Sequence, residues 1–174
     1  MSIFDHILEC GIILSEIKIL IHSSFSDHRG KIWTSFDKSI ELNLGLPIEF
    51  VHDKFAQSHR GVLRGIHYDD KSYKLVTCIT GNIQQVIVDL RPDSANYLKW
   101  ESFDLSGESP TSILVPPMFG NAFLVKSYVA TYHYKLAYIG EYNDADKQYT
   151  VKWDDPRINI KWEHIPSNLS ERDK

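Results

Sequence analysis

The chain has 174 residues, 43% hydrophobic and 24% charged, which suits one soluble unit with a sizeable core, so residues 1–174 are read as a single domain. A net charge of -4 argues against a general nucleic-acid-binding surface, which would carry a basic face, but leaves room for a small anion held by a local Arg and Lys cluster. No apolar run can span a membrane, and the start lacks the basic-then-apolar pattern of a signal peptide. Cys10 and Cys78 stand far apart with no metal-ligand spacing, so the chain is expected in a reducing cytoplasm.

Short β-type runs dominate. The first is Ile17 to Ile21, followed by a polar break from Ser23 to Gly30 and then Lys31 to Phe36. A helix is expected near residues 37–44. Runs follow at Ile48 to Val51, Lys74 to Thr80 and Ile83 to Leu90, the last two joined by a tight turn at Gly81-Asn82. Later runs are Ser112 to Val115, Ala122 to Val125 and Ala130 to Tyr138, and a second helix is expected in the C-terminal tail. Many short strands with regular turn signals predict an antiparallel sandwich or barrel, without choosing between jelly-roll and immunoglobulin-like topologies.

Three segments carry residues suited to acid–base chemistry. In Arg64-Gly65-Ile66-His67-Tyr68, strict alternation puts Arg64, Ile66 and Tyr68 on one face and Gly65 and His67 on the other, unless a short irregularity at Gly65 changes it. Histidine titrates near neutral pH and suits a general base, although a lone strand histidine is more often an ordinary packed or surface residue. Lys74 opens an apolar strand; it is either a solvated strand end or a cation set against a developing oxyanion. Tyr132 and Tyr134 share one face of their strand and His133 the other, which fits an aromatic core stripe or a phenolic proton donor. The histidines are otherwise scattered without ligand spacing, and no Gly-rich phosphate loop or nucleophile elbow is present. Phosphate binding would therefore fall to side chains such as Arg29, Lys54 and Arg64.

An ordered set of segments resembles the dTDP-4-dehydrorhamnose 3,5-epimerase family. The set comprises Phe25 to Gly30, Gly61 to Tyr68, Lys74-Leu75-Val76, Val88 to Arg91, Tyr134-Lys135, Trp153 to Pro156 and Leu169 to Asp173. The resemblance implies an all-β cupin jelly roll and a homodimer, with Ile12 to Ile21 apolar enough to join an exchanged strand or to form a strand within one subunit. It implies no metal and no other cofactor. The His-x-His pair of a metal-binding cupin is missing, since Tyr68 and Asp69 follow His67, and the ketone itself is the electron sink. By position, His67 resembles the base, Asp173 its dyad partner, Tyr134 the acid on the opposite face and Lys74 the stabiliser of the C4 enolate. Arg29 and Arg64 resemble substrate and diphosphate contacts.

His52-Asp53-Lys54 stands where the family commonly has Gln-Asp-Asn, and Asn121 stands where it has a histidine. These positions, taken as sugar and nucleotide contacts (His52, Lys54, Asn121), look closer to a branch acting on GDP-linked 4-keto heptoses in capsular polysaccharide synthesis. The expected activity is epimerisation at C3, C5 or both. The alternatives are a cupin 3,4-ketoisomerase and a non-catalytic sugar-binding cupin.

Overall fold

The computed structural model describes residues 6–174, with side chains from residue 10. In chain order the elements are β1 (His6–Cys10), β2 (Lys18–His22), β3 (Ser24–Asp27), β4 (Gly30–Trp33), α1 (Lys38–Leu44), β5 (Phe50–His59), β6 (Leu63–Tyr68), β7 (Tyr73–Thr80), β8 (Asn82–Asp89), β9 (Trp100–Ser106), β10 (Thr111–Val115), β11 (Phe119–Val125), β12 (Val129–Ala137) and β13 (Tyr149–Thr150). Two antiparallel sheets face each other, one ordered β1-β2-β10-β7-β12-β5 and the other β13-β6-β11-β8-β9; β3 and β4 form a separate hairpin. This is the jelly-roll class expected from the resemblance.

The core lies between the sheets, where Val76, Ile113 and Tyr132 meet Ile87, Phe119 and Phe123. Both outer faces are also covered. Helix α1 lays Ile40 and Leu44 on Leu20, Leu75 and Leu114. The tail lays Ile158 on Ile66, Val86 and Val88, with Trp162 packed beside them. That double covering explains why β8 and β11 are buried along nearly their whole length rather than at alternate positions. Helix α1 forms where expected because the Asp37 side chain accepts from the backbone N–H of Ser39 and Ile40, capping the first turn.

Several elements differ from expectation. The polar break at Ser23 to Gly30 contains β3 and the turn into β4. β5 runs on through polar residues to His59, because pairing with β12 rather than apolar burial holds it. β9 went unrecognised because Glu101 interrupts the inward series that Phe103 and Leu105 continue. The C-terminal tail forms turns and no helix. β1 pairs with β2 of its own chain and stands at the edge of its sheet.

In β6 strict alternation gives way to an irregularity at Gly65, the alternative the sequence left open. In the ladder with β11, His67 faces Asn121 and Arg64 faces Phe123, so Gly65 and Ile66 together oppose Ala122. This bulge turns Arg64 and His67 to the same cavity, while Ile66 packs outward under the tail. Gly65 has φ of +125°, and a Cβ there would sit 2.5 Å from the Ala122 Cβ and 2.7 Å from the Asn121 carbonyl oxygen. Gly65→Ala is therefore expected to cost about 2–3 kcal/mol through clash and backbone strain. A lowered urea midpoint with an unchanged m-value would show it.

Candidate active site

Between the two sheets opens a cavity of about 380 Å³, within the usual range for small-ligand sites. His67 and Asn121 come from one sheet; Lys54, Lys74 and Tyr134 come from the other. The segment 139–148 and the tail close it, adding Tyr142, Arg172 and Asp173.

Asp173 reaches His67 across 106 residues of sequence because the tail is tied to the start of β6. The backbone N–H of Ser167 donates to the Gly61 carbonyl at 3.0 Å, and that of Leu63 donates to the Asn168 carbonyl at 3.2 Å. His67 Nε2 lies 2.5 Å from Asp173 Oδ1, and the Ser170 hydroxyl donates to Asp173 Oδ2 at 2.9 Å. Burial opposes ionisation of Asp173, but the hydrogen bond and charge of His67, the Ser170 hydroxyl and Arg172 outweigh it and hold the carboxyl below its ordinary value. An ionised carboxylate only accepts, so Nε2 carries the hydrogen of this bond. The neutral ring then keeps its lone pair on Nδ1.

Lys74 is buried with Asp69, whose carboxylate lies 3.5 Å away and is fully shielded from solvent. Asp69 Oδ1 accepts from the backbone N–H of Ser72 at 2.6 Å and of Lys71 at 3.1 Å, while Oδ2 is the oxygen that faces the Lys74 ammonium. Burial pushes the Lys74 ammonium below its ordinary value, Asp69 pulls it back up, and Arg172 lowers it further. Tyr134 is pushed well above the ordinary phenol value by burial, with Arg64 opposing and Tyr142 and Asp173 adding to the rise.

Around these groups stand further cations. Lys54 pairs with Asp144 at 2.6 Å, Arg64 Nε donates to the Ser58 hydroxyl at 3.0 Å, and Arg172 Nε donates to Thr150 Oγ1 at 2.8 Å. Of the nine residues singled out in the sequence, seven line the cavity: His67, Tyr134, Asp173, Lys74, Arg64, Lys54 and Asn121. His52 stands behind, with its ring edge-on to Tyr142 at 5.0 Å and its Nδ1 3.3 Å from the Tyr138 hydroxyl. Arg29 lies on the β3–β4 hairpin, paired with Asp27 at 2.6 Å and away from the cavity lining of its own chain. Sequence reasoning missed Asp69, Tyr142 and Arg172. None has a local signature, since each acts through a neighbour distant in the chain or through burial. Among the described residues no group of three or more His, Cys, Asp or Glu converges as a metal site. A larger hollow of about 820 Å³ beside β9 is mostly apolar and holds no comparable acid–base set.

A sequence profile described as dTDP-4-dehydrorhamnose 3,5-epimerase matches residues 12–174. The chain belongs to this family. It is an epimerase of nucleotide-linked 4-keto sugars. It is 35% identical over 153 residues to a dTDP-4-dehydrorhamnose 3,5-epimerase of Escherichia coli K12, covering 86% of this chain and 81% of that protein. The fold superposes with TM-score 0.88 and 31% identity on a dTDP-6-deoxy-D-glucose-3,5-epimerase of Legionella pneumophila in complex with dTDP-4-keto-L-rhamnose, covering 97% of this chain and 90% of that one. It also superposes with TM-score 0.85 and 29% identity on a 3'-monoepimerase of Streptomyces bikiniensis in complex with dTDP-quinovose, covering 95% and 84%. No described helix is long and apolar enough to cross a membrane.

Proposed function

We propose that this epimerase inverts a carbon beside the C4 ketone of a GDP-linked 4-keto-6-deoxy heptose or a closely related sugar, by proton removal and return through an enolate. The observation that carries the mechanism is the convergence of the His67–Asp173 pair on one wall of the cavity, Tyr134 on the other, and buried Lys74 in the same space. His67 removes the proton next to the ketone, and Asp173 orients the ring and stabilises the imidazolium. Lys74 stabilises charge on the C4 oxygen, and Tyr134 returns a proton from the opposite face. Lys54, Arg64 and Asn121 are proposed substrate contacts, with His52 acting through Tyr142. A diphosphate contact by Arg29 requires a second copy, which the homodimer implied by the resemblance would supply. The whole chain is read as one catalytic unit working in the cytoplasm.

The heptose preference rests on His52, Lys54 and Asn121 departing from the usual family pattern. The relatives above are named for dTDP-linked hexoses, so the nucleotide and the sugar are tested together. Proton NMR in deuterium oxide with a GDP-4-keto heptose and with dTDP-4-keto-6-deoxyglucose counts the positions that exchange. Exchange at C3, C5 or both, faster with the GDP heptose, is the expected result. Exchange only with the dTDP hexose would retire the heptose assignment, and none with either would retire the mechanism.

The Lys74–Asp69 pair makes a pH prediction. An essential ammonium whose value lies below the ordinary one is lost as pH rises through that lowered value, so the alkaline limb of kcat/KM sits below that of a solvated lysine. Asp69→Asn keeps an Oδ1 acceptor for Ser72 and Lys71 but removes the supporting charge. It should move the alkaline limb to lower pH and lower the optimum rate about tenfold. An unmoved limb would show that Lys74 does not set it.

A further inference from the structure

At the floor of the cavity, three side chains from three strands form a hydrogen-bonded row: Tyr132 on β12, Gln85 on β8 and Asn121 on β11. Tyr132 and Gln85 are fully buried, and Asn121 is 5% exposed at the cavity wall. The chemistry of the row leaves one arrangement. Gln85 Nε2 lies 3.2 Å from the backbone carbonyl oxygen of Val86, which can only accept, so the amide end facing it must be the NH2. Turning Gln85 over would set two acceptors against each other. Its Oε1 therefore faces Tyr132, whose hydroxyl donates to it at 2.6 Å. The second hydrogen of Nε2 goes to Asn121 Oδ1 at 2.8 Å. Turning Asn121 over would set two NH2 groups against each other. Asn121 thus keeps its oxygen inward, toward Gln85 and the Tyr132 hydroxyl at 3.3 Å, and is left with its Nδ2 hydrogens for the cavity.

Asn121 is also the ladder partner of His67 on the neighbouring strand, so this donor stands beside the base. The two carbons that an epimerase of this kind can deprotonate both flank the ketone, and the C4 oxygen is the oxygen adjacent to both. We propose that Gln85 and Tyr132 are positioning residues that lock the Asn121 amide as a neutral donor to the C4 oxygen of the keto sugar, where it acts beside the Lys74 ammonium. The inference rests on the epimerase mechanism proposed above and adds a second donor to the oxyanion site. An amide does not titrate, so this donor stays in place across the pH range in which Lys74 loses its proton. Neither Gln85 nor Tyr132 needs to touch the substrate.

The test is a double-substitution cycle on the whole protein. Deuterium exchange and product formation are read with a GDP-4-keto heptose and with dTDP-4-keto-6-deoxyglucose, and the melting temperature is recorded for each variant. Gln85→Met keeps the volume and removes the relay; it should lower kcat about tenfold in the parent and leave it unchanged in the Asn121→Ala background, because Gln85 acts only through Asn121. A merely structural Gln85 would cost the same in both backgrounds. Asn121→Asp keeps an acceptor for Gln85 but turns an oxygen toward the developing charge. It should lower kcat about 100-fold or more, with KM changing far less. Parental kcat in Gln85→Met or Asn121→Asp overturns the proposal, as does an equal loss from Gln85→Met in both backgrounds. Absence of exchange by the parent itself would instead overturn the mechanism on which the proposal rests.

Discussion

His67→Asn is expected to lower kcat by about 10³- to 10⁴-fold and to abolish deuterium exchange at the carbons beside the ketone. The asparagine side chain fills only the ring's near volume and falls short of Asp173, but the backbone bonds of Ser167 and Leu63 and the Ser170 hydroxyl on Asp173 should keep the tail docked and the fold intact. What disappears is the lone pair. In the parent, Asp173 is held ionised and fixes the hydrogen of Nε2 by accepting it at 2.5 Å, which leaves Nδ1 basic. An amide offers no comparable base. Asp173 acts through the ring rather than on the substrate, so adding Asp173→Asn to His67→Asn should cost little more than the first change alone, whereas Asp173→Asn by itself should be clearly impaired. Full additivity of the two losses would mean that Asp173 has a separate part in the reaction. Retained exchange in His67→Asn would move the base elsewhere in the cavity.

The fold was legible where burial writes itself locally. β7, β8, β10 and β12 were found because covered sheet faces demand apolar, β-branched residues, and α1 because Asp37 caps it. The start of β5 and most of β4 were legible too, but the rest of β5 and all of β3 were not, because each is held by backbone pairing that leaves little apolar signal. The site shows the same division. His67, Lys74 and Tyr134 sit on strands whose position could be read, but their roles came from resemblance, since each alone has an ordinary structural explanation. Alternation even put Arg64 and His67 on opposite faces. The bulge at Gly65 that reunites them depends on close contact with Ala122, which lies 57 residues further on. Asp69 and Gln85 were invisible for a similar reason: a buried carboxylate at 3.5 Å from Lys74 and an amide relay between three strands exist only once the sheets are assembled.

Tyr134→Phe is expected to separate two events that the parent performs together. The phenylalanine keeps the ring, so the edge-to-face contact with Tyr132, with centroids 4.6 Å apart, survives and the melting temperature should move little. His67 remains on the opposite sheet and can still take a proton and give one back from its own face. Solvent deuterium should therefore still enter the substrate with retained configuration, while the inverted product falls by about 10²- to 10³-fold. Burial keeps the Tyr134 phenol protonated well past the ordinary range, whereas burial of Lys74 brings its deprotonation down to lower pH. The first loss on raising pH thus belongs to Lys74, and the alkaline limb of the remaining exchange in Tyr134→Phe should match the parent's. A variant that still inverts would give the acid role to another group, with Tyr142 of the same cavity next in line: burial, then Asp144 and Asp69, push that phenol up to about 12. Loss of exchange together with inversion would show that the hydroxyl is needed for forming the enolate as well as for quenching it.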